Sequence, residues 1–107
     1  MKYIKNYEKY NSNKLNDLIV KYYNDYSESI IEIIDSYEKE SDVKNILHKI
    51  SFIIESSGDV AEIEKNGEIL AYYIETKDET ENSFFFNTET KKFSITTYKK
   101  FMDSLEK

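Results

Sequence analysis

The chain has no cysteine, proline, tryptophan, glutamine or arginine, and only two of its 107 residues are glycine. Without cysteine there are no disulfides, thiolate metal ligands or cysteine nucleophiles. Without arginine nothing makes the planar, bidentate fork that guanine edges and phosphates favour. Two glycines are too few for the backbone phosphate cradle of a P-loop or dinucleotide turn, and no serine-elbow motif is present. No run approaches the ~20 apolar residues of a membrane span. Met1–Asn11 mixes Lys and Tyr and holds no signal-peptide core. These absences predict a soluble, cytoplasmic chain with no membrane contact and no cofactor.

All fifteen basic residues are lysine, against 21 acids, for a formal net charge of −6. With a pI near 4.8, the field of the whole molecule repels nucleic acid. Direct DNA or RNA binding is therefore not expected. Ten Tyr and six Phe argue for a packed core rather than disorder.

The length suits one domain spanning 1–107. Near Gly58 the apolar period changes from about 3.6 to 2, which divides the chain into a helical half (1–58), a β-meander (59–97) and a terminal helix (98–107). Tyr3, Ile4, Tyr7 and Tyr10 have helical spacing, followed by a break at Asn11-Ser12-Asn13. A second stripe runs through Leu15, Leu18, Ile19, Tyr22, Tyr26, Ile30, Ile33, Ile34 and Tyr37. It fits one helix over 14–39, or two meeting near Ser27–Ser29, where Ser29 and Glu32 have capping-box spacing. Ser41 reads as the next N-cap, before the apolar face Val43, Ile46, Leu47, Ile50, Ile53 and Ile54. Gly58 reads as the region of that helix's C-cap.

Asn66-Gly67 is a strong two-residue hairpin signal between strands Val60–Lys65 and Glu68–Glu75. An unbroken ladder from this turn pairs Ile63 with Leu70 and Ala61 with Tyr72. It places Ala61, Ile63, Leu70, Tyr72 and Ile74 on one core face. Ser83–Asn87 and Lys92–Thr97 form a second hairpin, with Phe86 opposite Phe93 and Phe84 opposite Ile95. Tyr98–Leu105 closes the chain as a helix. The expected architecture is α+β in two layers: two to three N-terminal helices on one face of a four-stranded antiparallel meander, then a short C-terminal helix.

Few residues invite chemistry. His48 is the only histidine and projects toward solvent, so a zinc site would need carboxylates for every other ligand. Asp78, Glu79, Glu81 and Asn82 lack the alternating ligands and central glycine of an EF-hand and read as a solvated loop. The segment Val60–Ile74, following helices, resembles the early hairpin of GNAT acetyltransferases over fifteen residues. That family's glycine-rich acyl-CoA loop has no counterpart downstream of Ile74, so the resemblance implies no activity here. No catalytic residue, metal ligand or cofactor site is assigned.

Charge placement is the stronger signal. Residues 25–42 hold seven acids and one lysine, and residues 59–89 hold nine acids and two lysines. Asp25, Glu28, Glu32 and Asp35 share one helical face, which reads either as an ordinary solvated face, with Lys39 partly relieving Asp35, or as a ridge suited to a basic partner. The expected ladder also puts Glu62, Glu64, Ile69, Tyr73 and Phe85 on the sheet face away from the helices, unless the terminal helix covers it. Aromatics among carboxylates are an interface composition. Phe52 lies nearly opposite its helix's core face, either as a further contact point or because that helix is packed on both sides.

The expectation is a non-enzymatic, acidic protein-binding inhibitor of a larger partner with a basic groove, such as a nucleic-acid-processing enzyme or toxin. Immunity proteins and phage anti-defence proteins, anti-CRISPR proteins among them, share this size and charge by class analogy alone. The alternative is a homodimer or larger homo-oligomer formed through the aromatic outer sheet face. A carboxylate enzyme without a recognised motif is third.

Overall fold

In the computed structural model, residues 13–56 and 58–105 are described. The helix expected over Tyr3–Tyr10 lies outside them. Three helices come first: α1 (Asn13–Tyr23), α2 (Ser27–Asp35) and α3 (Val43–Ile53). The strands β1 (Val60–Lys65), β2 (Glu68–Ile74), β3 (Asn82–Asn87) and β4 (Lys92–Thr97) form an antiparallel meander in the order β1-β2-β3-β4. The helix α4 (Tyr98–Leu105) follows β4 directly.

The long second stripe is two helices. A 3-10 turn at Asn24–Tyr26 separates them, and the Ser27 hydroxyl donates to the Asn24 carbonyl at 3.0 Å. The break thus precedes the serines instead of falling within them. Before α3 the cap also differs from expectation. A 3-10 turn occupies Glu40–Asp42, and the Asp42 carboxylate accepts the amides of Glu38 (3.2 Å) and Lys39 (3.1 Å). Asp42, not Ser41, organises this junction.

Gly58 is not the C-cap of α3. The chain turns there through Glu55, which has φ 55°. Gly58 packs instead against the backbone of Glu75, where a Cβ would run into the Glu75 carbonyl. At the first hairpin Asn66 and Gly67 both have positive φ, 55° and 79°, the left-handed pair that a tight two-residue turn requires.

The sheet has helices on both faces, so the expected two layers are three. On one face α1–α3 bury Leu15, Ile19, Ile30, Ile34, Val43, Leu47 and Ile50 against Ile74, Phe84, Phe86, Phe93 and Ile95. On the other, Phe101 of α4 joins Ile63, Ala71 and Phe85, flanked by Leu70, Tyr73, Tyr98, Met102 and Leu105.

The second hairpin has the expected register, with Phe86 opposite Phe93 and Phe84 opposite Ile95. The first does not. Lys65 pairs with Glu68 and Glu64 with Ile69, but Ile63 then pairs with Ala71, Glu62 with Tyr72 and Ala61 with Tyr73. Leu70 is the extra residue of a β-bulge. The inserted residue shifts β1 by one position against β2, which turns the side chains of β1 to the faces opposite those expected, while Tyr72, Tyr73 and Ile74 of β2 keep theirs. Ile63 and Leu70 therefore join the α4 side, while Tyr72 and Ile74 pack with α1–α3. Thr88 holds the bulge: its amide donates to the Leu70 carbonyl at 3.0 Å, and its hydroxyl lies 2.9 and 3.0 Å from the carbonyls of Ile69 and Leu70.

Candidate functional site

The ridge begins on α2. In a helix, positions 28, 32 and 35 fall within about 60° of one another, opposite Ile30 and Ile34. Those two isoleucines are fully buried, which fixes Glu28 and Glu32 outward, and both are exposed. Asp25 stands exposed in the preceding 3-10 turn. Among the described residues the ion pairs are Lys44–Glu62 and Lys91–Glu40, so Asp25, Glu28 and Glu32 have no counter-ion there. Glu28 and Glu32 are like charges one turn apart, an arrangement that disfavours the isolated helix by a few tenths of a kcal/mol.

Asp35 is a partial exception. It is half-buried, and its Oδ1 is out of solvent with no hydrogen-bond partner among the described residues. Burial pushes its carboxyl above the ordinary carboxylate range. The exposed ridge is thus Asp25, Glu28 and Glu32, with Asp35 at its sunken end.

The second expected group is dispersed by the bulge. Glu62 faces α3, where its Oε2 lies 2.6 Å from Lys44 Nζ. The hydrogen bond to Glu62 raises the Lys44 ammonium above its usual range, as a paired cation should behave. Glu64 is exposed, two residues along the same edge strand. Ile69 is half-buried beside the bulge, in an open depression with Glu68, Thr88 and Leu105.

Tyr73 and Phe85 do lie away from α1–α3, but α4 covers them. Phe85 is only 1% exposed. It stacks on Tyr73 at 5.1 Å and on Phe101 at 4.5 Å. Tyr98 leans on Tyr73 at 5.5 Å. Burial, with the neighbouring Tyr98 second, raises the Tyr73 phenol. The aromatics expected to meet a partner are instead the floor of an internal core. The residues that cover them, Tyr98, Phe101, Met102 and Leu105, were legible as an amphipathic helix. The side it would take was not.

Among the described residues, Phe52 is the most exposed of the large apolar side chains, ahead of Val20, Tyr22 and Tyr26. It is 86% exposed and points away from the buried face of α3. With Ile33 of α2 and His48, Lys49 and Ile53 of α3 it borders a shallow groove of about 400 Å³. His48 is exposed on that rim.

The acids of the β2–β3 loop satisfy one another's backbone. The Asp78 carboxylate accepts the amide and hydroxyl of Thr80, both at 2.9 Å, and Glu81 accepts the amide of Asp78 at 3.1 Å. The Thr80 amide bond, then its hydroxyl, holds the Asp78 carboxyl below its ordinary range. Among the described residues, no group of three or more His, Asp or Glu side chains is placed to hold a metal ion. Nor is any helix there long and apolar enough to cross a membrane. In comparisons with known proteins, no family model matches this chain, and no curated protein or solved structure is significantly similar to it.

Proposed function

We propose that the protein is a small acidic protein-binding inhibitor that covers a basic groove on a larger partner, such as a nucleic-acid-processing enzyme or a toxin. The observation that carries this reading is the α2 ridge. Asp25, Glu28 and Glu32 are exposed and unpaired among the described residues; Glu28 and Glu32 are set on a helix whose opposite face is locked into the core, and Asp25 in the 3-10 turn that leads into it. Rigid, unneutralised carboxylates spaced along a helix present a row of negative charge, as a phosphate backbone does to a basic groove. With a net charge of −6 behind them, such a ridge steers encounter with a cationic surface.

Immunity proteins and phage anti-defence inhibitors, including anti-CRISPR proteins, are the classes whose size and charge this chain shares. Assembly through the outer sheet aromatics is disfavoured, because Phe85 is enclosed between Tyr73 and Phe101.

Affinity capture from the cells that make the protein, read by mass spectrometry, tests the proposal. The bait is compared with its Glu28→Lys/Glu32→Lys variant. A basic nucleic-acid-processing protein or toxin held by the first bait and lost from the second is expected. Partners that are retained by the reversed ridge would overturn the reading.

A further inference from the structure

Tyr73, Glu75, Thr76, Glu79 and Tyr98 line a cleft of about 210 Å³ where the end of β2, the loop after it and the start of α4 meet. The two rings are half-buried and inclined at 48°, with centroids 5.5 Å apart. Phe85 stacks on Tyr73 and holds that ring in place. Backbone bonds fix the acids. The Glu75 amide donates to the Asp59 carbonyl at 2.8 Å, and the Thr76 hydroxyl donates to the Asp78 carbonyl at 2.9 Å, which ties down the loop that carries Glu79. Both carboxylates are exposed and neither has a counter-ion among the described residues. Lys77, Lys99 and Lys100, the lysines nearest in sequence, form no ion pair there. Nor does a lysine among those residues lie over either ring, the cation–π contacts being Lys21 on Tyr22 and Lys44 on Tyr72. The two charges act on the rings: after burial and Tyr98, Glu75 and Glu79 are what raise the Tyr73 phenol.

We infer that this cleft binds a methylated ammonium group, with the rings of Tyr73 and Tyr98 against its methyls and the carboxylates of Glu75 and Glu79 neutralising its charge. An aromatic face attracts a cation through its quadrupole, and carboxylates at the rim add a direct Coulomb attraction. The donor set argues against a metal. A hard divalent ion takes roughly six or more oxygen ligands, and half of this lining is aromatic or already committed: the Thr76 hydroxyl is spent on Asp78. It also argues against a bare ammonium, a strongly hydrated point charge with three donors to satisfy. Each N-methyl replaces a donor with apolar surface that a ring can cover. The head group can come from a free quaternary amine or from a methylated lysine side chain of another protein, and the cleft reads the same chemistry in both. This inference is independent of the inhibitor reading, which rests on the α2 ridge.

NMR titration of the isotope-labelled full chain tests it, at constant ionic strength and up to tens of millimolar ligand. The probes are choline chloride, a capped trimethyllysine, and the uncharged isostere of choline with carbon in place of nitrogen. Both cations should give saturable amide shifts confined to residues 73–79 and the start of α4. The tighter of the two identifies the source of the head group. The isostere should bind at least about five-fold more weakly, the loss expected when two cation–π contacts become neutral ones. Glu75→Gln/Glu79→Gln lies on the surface and should weaken choline binding several-fold with an unchanged melting temperature. Tyr98→Leu should weaken it as well, in a chain that circular dichroism shows to be folded. Absence of saturable shifts would overturn the proposal. So would an isostere that binds as tightly as choline, or unchanged affinity in Glu75→Gln/Glu79→Gln.

Discussion

The α2 ridge and the first hairpin carry similar acidic patterns, yet the fold treats them oppositely. On α2 the carboxylates at 28 and 32 stay in solvent because Ile30 and Ile34 must be buried, and helical period leaves no other arrangement. On β1 the glutamates alternate with apolar residues just as regularly. Their face depends on a ladder that one extra residue can reverse. Leu70 is that residue, and it sends Glu62 to Lys44 instead of outward. A helix keeps its faces through its own hydrogen bonds. A strand takes its faces from its neighbour.

The sharpest way to break this comparison is to charge the reversed strand. Ile63→Asp should place a carboxylate in the apolar cluster of Phe85, Phe101 and Ala71. Burial of an unpaired charge costs several kcal/mol, a large share of a typical stability of about 5–15 kcal/mol. Circular dichroism should show a chain that is unfolded or melts more than about 10 °C lower, while Glu64→Lys, on the exposed side, should shift the midpoint little. Equal loss in both variants would contradict the register.

A smaller effect tests what holds the bulge. Thr88→Val keeps the shape but removes the hydroxyl that reaches the carbonyls of Ile69 and Leu70. Urea unfolding should show a loss of about 1–2 kcal/mol. The same Thr→Val change at Thr80, in the exposed loop, should cost less.

The smallest effect sits at the ridge's sunken end and has the opposite sign. Asp35 has its carboxyl raised by burial, so the folded state holds its proton more tightly than the unfolded chain does. Its contribution to stability is therefore lost as pH rises from the ordinary aspartate range, about 3.9, through the raised folded-state value. Asp35→Asn should melt higher than wild type at neutral pH, by no more than about 4 °C. That gain should disappear at pH 3, where both states of the wild type are protonated. A variant that melts lower at neutral pH would mean the carboxylate has a partner.

Much of the fold was legible because its signals are local. Helical spacing located α1–α3, and Asn66-Gly67 located the first turn. On β4 Phe93 and Ile95 alternate with Ser94 and Thr96, and a four-residue loop, residues 88–91, then sets Phe86 opposite Phe93 and Phe84 opposite Ile95, so the second hairpin could be aligned residue by residue. The first could not, because Ile69-Leu70-Ala71-Tyr72-Tyr73-Ile74 is apolar throughout and offers no alternation to reveal a slip. The capping of the bulge by Thr88, eighteen residues from Leu70, is a tertiary fact. So is the choice of α4 to cover the far face, on which Tyr73 and Phe85 depend. The ridge was legible for the reason the sheet face was not: its exposure follows from a period within one helix. Asp35 was read as fully exposed because its angle alone does not show how close a neighbouring element comes.

The comparison of the two acidic surfaces is tested most directly by surface plasmon resonance on the captured partner across a salt series. Wild type would be set against two double reversals, Glu28→Lys/Glu32→Lys and Glu62→Lys/Glu64→Lys. The ridge reversal should slow association most, and its deficit should shrink as the Debye length falls from about 10 Å at 0.1 M salt to about 3 Å at 1 M. The strand reversal should have the lesser effect, because Glu62 is already neutralised by Lys44. Wild-type association by the ridge variant at low salt, or a larger loss from the strand variant, would contradict the account.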